Sequence, residues 1–292
     1  MPDPKRIMQS HPLPSAWQAP QRGGAQRWTL EQIDFSRTNV GAVHDVDHLF
    51  YLVVTASFIE SGSDTYTRNL VAHFADWPEI ADWLEHQWQP EELQHGRALR
   101  TYVETVWPEF DWPAAYAAFF DEYSRLCTVD ELEDDRTLEL VARCVVETGT
   151  ATYYETLRDL AVDPVLADLA ERIRADEVRH YKYFFRYFKR LREARGTTRL
   201  QVVGALRRRL IELRDSDSDV ALRHAWQYRP HADAGDDPPL DQVANQLYQL
   251  LGARLPLDQA VKMLLRPVDL PHRLEHLIEK PIARLARRVL AA

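Results

Sequence analysis

The sequence predicts an all-α protein built around four long helices, for three reasons. Leu, Ala, Glu and Arg are plentiful, whereas glycine supplies only 10 of 292 residues, a balance that favours helix over strand. Apolar residues recur in alternating steps of three and four along stretches of about 30 residues, the period of an amphipathic helix. Ordinary globular helices are nearer a dozen residues. Four rods, each about 45 Å long at 1.5 Å per residue, bury their apolar stripes most simply against one another as a bundle.

The elements follow in order. Residues 1–36 are rich in proline and read as an extended N-terminal arm, with one turn of helix near Thr29–Gln32. Residues 43–75 form the first long helix, with a break expected at Ser61-Gly62-Ser63. Residues 78–107 form the second, stopped by Trp107-Pro108; Pro90 must kink it or start a new segment, because proline offers no N–H. A shorter helix covers 113–127, a third long one 130–160, and a fourth 164–194, ended by Gly196. Residues 37–196 thus form the bundle. Beyond them, 198–214 is helical, a linker spans 231–239, and three short amphipathic helices are broken at Pro256, Pro267, Pro271 and Pro281. Residues 197–292 read as a helical extension packed on the bundle.

Composition narrows the function classes. With 45% apolar and 28% charged residues, the chain has the profile of a globular protein. A formal charge of -9 argues against nucleic acid as a partner. No apolar run approaches the roughly 20 residues of a membrane span. Cys127 and Cys144 form no CxxC pair and no disulfide framework. The N-terminus lacks a signal-peptide core, so a cytoplasmic location is expected.

The chemistry lies in a repeated pentad. Glu91-Glu92-Leu93-Gln94-His95 falls in the second long helix and Asp176-Glu177-Val178-Arg179-His180 in the fourth. Each contains Glu-x-x-His, which sets a carboxylate and an imidazole one turn apart on one face. The first and third long helices each carry one glutamate in an apolar stripe. Glu60 follows Leu49, Val53 and Ala56; Glu147 lies between Cys144 and Ala151. A buried, unpaired carboxylate costs several kcal/mol. Four of them therefore call for compensating charge, and two divalent cations supply it. Glu60, Glu92, His95, Glu147, Glu177 and His180 are the expected ligands, an arrangement described for di-iron and di-manganese bundles. His44 and His48, with Asp45 and Asp47, read as helix-start charges.

In the order of these motifs the sequence resembles the ferritin-like di-iron carboxylate superfamily, and within it the soluble acyl-carrier-protein desaturases and di-iron oxygenases. The resemblance covers roughly residues 43–190. It implies a ferritin-like four-helix bundle holding two iron ions, with manganese an option at either site. It also implies that Asp176 holds His95, that Glu91 holds His180, and that Thr150 sits beside the oxygen pocket as a catalytic proton relay. An external electron donor and a homodimer are expected. Gln94 departs from the family, whose pentads carry a basic residue there.

Two functions follow as expectations. One is a di-iron oxidoreductase that activates O2 to desaturate, hydroxylate or N-oxygenate an organic substrate, small or carrier-bound, possible carriers being acidic proteins that dock on the arginine-rich stretch Lys189–Arg209. Gly149 and Ala151 are expected to leave substrate room beside Glu147. The alternative is a ferroxidase or iron-handling protein with no organic substrate.

Overall fold

The structure is a computed structural model that describes residues 27–212, 217–230 and 238–290. Most of the predicted arm, residues 1–26, and most of the predicted linker lie outside the described residues. Short 3-10 turns at Leu30–Gln32 and Phe35–Arg37 lead into α1 (Val40–Val43), α2 (Asp47–Ser61), α3 (Ser63–His73), α4 (Pro78–Trp83), α5 (Gln89–Val106), α6 (Trp112–Leu126), α7 (Arg136–Leu160) and α8 (Pro164–Arg195). Then come α9 (Arg199–Glu212), α10 (Asp217–Gln227), α11 (Leu240–Arg254), α12 (Leu257–Leu265) and α13 (His272–Leu290). No strand occurs among the described residues. No helix among them is long and apolar enough to cross a membrane.

Local chemistry explains the boundaries. The first long rod is split at Gly62 into α2 and α3, at the expected break. The second rod solves the Pro90 problem with a π-turn. Residues Leu84–Trp88 widen the helix by one residue, and Pro90 then falls in the first turn of α5, where its missing N–H has no partner to lose. The third rod starts at Arg136 rather than 130, because Asp135 caps it by accepting from the backbone N–H of Thr137 and Leu138. Asp163 caps α8 through Leu166 N–H, and also accepts from Asn39 N–H and Tyr102 OH, so one buried carboxylate joins three segments. Gly196 closes α8 in the left-handed region at φ 70°.

The bundle pairs α7 with α8 and α2 with α5. Its apolar interior falls into two clusters. One gathers Leu49, Val53, Leu99, Tyr102, Leu157 and Ile173; the other gathers Leu70, Leu84, Trp88, Leu140, Phe184 and Phe188. Along α2–α3, α5, α7 and α8, the carboxylates and histidines of interest all fall between these two groups in sequence.

The C-terminal part is helical, as expected of an extension, and differs from expectation at Pro281. Residues Asp217–Gln227 form a helix, α10, that packs on α2 and α6. Pro281 does not break its helix; it sits inside a continuous α13. The arginine-rich stretch makes several internal contacts. Arg190 pairs with Glu79, Arg208 with Glu133 and Arg209 with Glu212, while Arg192 and Arg199 donate to the carbonyls of Pro267 and Asp269. These contacts tie the stretch to its neighbours, while Lys189, Arg195, Arg199, Arg207 and Arg208 stay exposed.

Candidate metal centre

Glu60 comes from the last turn of α2, Glu92 and His95 from α5, Glu147 from α7, and Glu177 and His180 from α8. All six are buried, and their potential ligand atoms converge in two groups. Glu60, Glu92, His95 and Glu177 form one; Glu147, Glu177 and His180 form the other; within each, the atoms lie within 4.8 Å of one another. Glu177 belongs to both. Glu92 also reaches across, its Oε1 standing 3.0 Å from His180 Nδ1. Glu92 and Glu177 thus lie between the two histidines.

Protein donors fix one end of most of these side chains and leave the other end aimed at the gap. Tyr154 OH donates to Glu60 Oε1 at 2.5 Å, Trp88 Nε1 to Glu147 Oε1 at 3.3 Å, and Thr150 Oγ1 to Glu177 Oε2 at 2.6 Å. His95 Nε2 lies 3.1 Å from Asp176 Oδ2, and His180 Nε2 lies 2.8 Å from Glu91 Oε2. With a proton on each Nε2, the Nδ1 lone pairs face inward. What remains is one atom on each of the six: Glu60 Oε2, Glu92 Oε1, His95 Nδ1, Glu147 Oε2, Glu177 Oε1 and His180 Nδ1, each buried without a hydrogen-bond partner. Six orphaned acceptors around one gap are costly in an ordinary core. Two divalent cations would satisfy all of them and balance four carboxylates, so the residues present fit a dinuclear metal group.

Electrostatics tell the same story. Burial, then the charges of Glu177 and Glu60, push Glu92 well above the usual carboxylate range; burial and Glu177 push Glu147 up to about 8. Burial also raises Glu177, but its close contacts with the His95 and His180 imidazoles outweigh it and hold that carboxyl low. Both histidines are raised well above their ordinary value, because carboxylate contacts outweigh burial. These opposed shifts come from four carboxylates and two imidazoles packed out of water, an arrangement that bound cations would relieve.

Asp176 and Glu91 lie where the resemblance implies, each against the histidine of the opposite pentad. Arg179 joins them, donating to Asp176 Oδ1 at 2.6 Å and to Glu91 Oε2 at 2.7 Å. Burial alone would raise both carboxyls, but the imidazoles and this guanidinium hold both low and charged. Thr150 is half-buried and touches the Glu177 carboxylate. Gly149 differs from expectation. It is exposed, and a Cβ built on it meets nothing within 4 Å. It faces outward and makes no room beside Glu147. Ala151 is fully buried.

Sequence reasoning passed over three donors. Trp88 and Tyr154 fall among the apolar residues of their helices, where the sequence pattern gives their polar ends no signal of their own. Trp28 was placed in the arm, yet its indole is buried and donates to Asp176 Oδ2 at 2.9 Å. A tryptophan in a proline-rich segment carries no period from which this contact can be read.

No family model matches the chain, and no curated protein matches it in sequence. Solved structures do resemble it. A tyrosine-to-phenylalanine variant of an R2-like ligand-binding oxidase with a Mn/Fe cofactor is 15% identical, with a TM-score of 0.52, covering 78% of this chain and 87% of that one. A second such variant, also with Mn/Fe, gives 14% and 0.51 over the same shares. A glycine-to-leucine variant with an Fe/Fe cofactor gives 14% and 0.50, again over 78% and 87%. At this identity the likeness establishes the fold: the chain has the all-α, ferritin-like bundle of the R2-like oxidases.

Proposed function

We propose that this chain is an O2-dependent oxidoreductase that holds two metal ions, both iron or one iron and one manganese. Glu60 and His95 serve one ion, Glu147 and His180 the other, with Glu92 and Glu177 between them. The observation that carries this reading is the set of six orphaned ligand atoms around one gap. Four carboxylates and only two imidazoles leave coordination positions open, unlike a closed structural site. Mn/Fe and Fe/Fe cofactors in structures of the same fold agree with this choice of metals.

When bound, the two ions supply the electrons that reduce O2, and an external donor restores them. The protein supplies positioning and protons. Asp176 and Glu91, locked by Arg179, fix both imidazole rings. Tyr154 and Trp88 fix the outer carboxylates. Thr150 stands half-buried with its hydroxyl on Glu177, touching that carboxylate from a partly open position. It serves as the proton relay between the outside and the cluster.

The test is rapid mixing of the ferrous protein with oxygen, with and without a panel of acyl and amine substrates. The account predicts oxidation of two irons per chain and substrate-dependent product. Thr150→Val keeps the shape but should slow oxygen consumption by about 10²–10⁴. Accumulation of ferric mineral with no product would replace this reading with a ferroxidase.

A further inference from the structure

Outside the metal centre, the least expected surface is α13. Helices of a folded protein turn their apolar residues inward, yet here Leu277 is 70% exposed, Leu285 62% and Leu274 43%. At 100° per residue these three fall on one side of the helix. The inward side is a different one: Ala283 is buried, and Glu275 and Glu279 are half-buried. The outer face carries charge as well. Arg273, Lys280, Arg284, Arg287 and Arg288 are all exposed, five cations against the two glutamates. Among the described residues, Arg287 approaches an acid outside the helix, Asp258 at 3.7 Å. The pattern extends onto α9, whose Leu200 is 84% exposed. Arg199 donates to the carbonyl of Asp269, three residues before α13, and so ties the start of α9 to that corner.

We propose that α13, with the first turn of α9, is a docking surface for an anionic lipid bilayer, on which the protein lies without crossing it. A convex helix with protruding leucines and flanking Arg and Lys is the form that inserts shallowly among headgroups. A second copy stacked on the same face would set cations against cations. In a chain of net charge -9, clustering of cations beside exposed leucines has a specific attraction to anionic headgroups and none to neutral ones. The surface makes no use of the metal centre, so it stands whether or not the proposed activity does.

The experiment is co-sedimentation of the full chain with vesicles of phosphatidylglycerol and phosphatidylcholine, against phosphatidylcholine alone, at low and high salt. Binding is expected to the anionic vesicles only, and to weaken with salt. Arg284→Gln with Arg288→Gln should weaken it by about fivefold per cation. Leu277→Asp with Leu285→Asp should reduce it by more than about tenfold, with far-UV circular dichroism and metal content unchanged. Absence of binding to anionic vesicles, or equal binding by the leucine variant, overturns the proposal. So does a dimer in solution that the leucine variant splits while the wild type ignores vesicles; the face would then join two copies. Capture of an acidic protein without vesicle binding overturns it equally.

Discussion

Trp28 Nε1 donates to the same oxygen of Asp176 that His95 Nε2 approaches, at 2.9 Å and 3.1 Å respectively. The indole lies stacked over the imidazole at 6.0 Å between centroids. A residue 148 positions away from Asp176 in the chain therefore sets the orientation of a histidine in the cluster. Trp28→Phe keeps the ring and removes the donor. It is expected to weaken metal binding about tenfold, at the lower end of the range for partners of a ligating histidine. A metal titration followed by calorimetry checks this, and unchanged affinity would mean that Asp176 is held adequately by Arg179 alone.

Arg179 is expected to matter more, because it serves both carboxylates. Arg179→Met should loosen Asp176 and Glu91 together and weaken both sites about 10–100-fold, whereas Asp176→Ala or Glu91→Ala should weaken chiefly the site of the histidine it contacts. Spectroscopic titration with cobalt, which reports the two environments separately, tells these cases apart.

Gly96 lies one residue past His95, where α5 crosses the end of α2. A Cβ there would stand 2.7 Å from Ser61 N and Oγ and 2.9 Å from Ser61 Cα. The backbone cannot give way cheaply, so Gly96→Ala should force α2 and α5 apart and destabilise the fold by about 1–3 kcal/mol. It should also shift Glu60, the neighbour of Ser61, and lower metal content. Chemical denaturation of the metal-free protein, compared with wild type, measures the first effect without the second.

Much of this was legible in the sequence, and the reason is periodicity. Glu60, Glu92, Glu147 and Glu177 interrupt apolar stripes, and an acid in a stripe must be buried whatever the tertiary detail. The break at Gly62 and the stop at Gly196 were legible because glycine acts locally. The π-turn before Pro90 was not, since several local geometries accommodate a proline equally. Trp28 and the internal partners of Arg190, Arg199 and Arg208 were not, because long side chains choose partners that only the folded chain brings near. Gly149 was misplaced for a simpler reason: being close in sequence to Glu147 says nothing about which side of a helix it faces.

Metal uptake should depend on pH. Glu147 is raised to about 8 and Glu92 is raised as well, so the metal-free cluster carries protons at neutral pH that metal must displace. Affinity should rise as pH increases toward about 8, with proton release on binding. The sign for stability is opposite. A carboxyl whose folded value exceeds its unfolded one stabilises the fold when protonated, and that contribution is lost as pH rises through the folded value. The metal-free fold should therefore weaken between about pH 4.5 and 8, while the metal-loaded fold should not. Thermal melts across that window, with and without metal, read both trends.

The central claim is that the six orphaned atoms hold two metal ions between α2, α5, α7 and α8. Elemental analysis of the chain reconstituted with ferrous iron, or with iron and manganese together, tests it most directly, beside the variants Glu92→Ala and Glu177→Ala. Two metal ions per chain are expected in the wild type and fewer in both variants, because each removes a carboxylate that stands between the two histidines. A wild-type content near zero, or an unchanged content in both variants, would contradict the account.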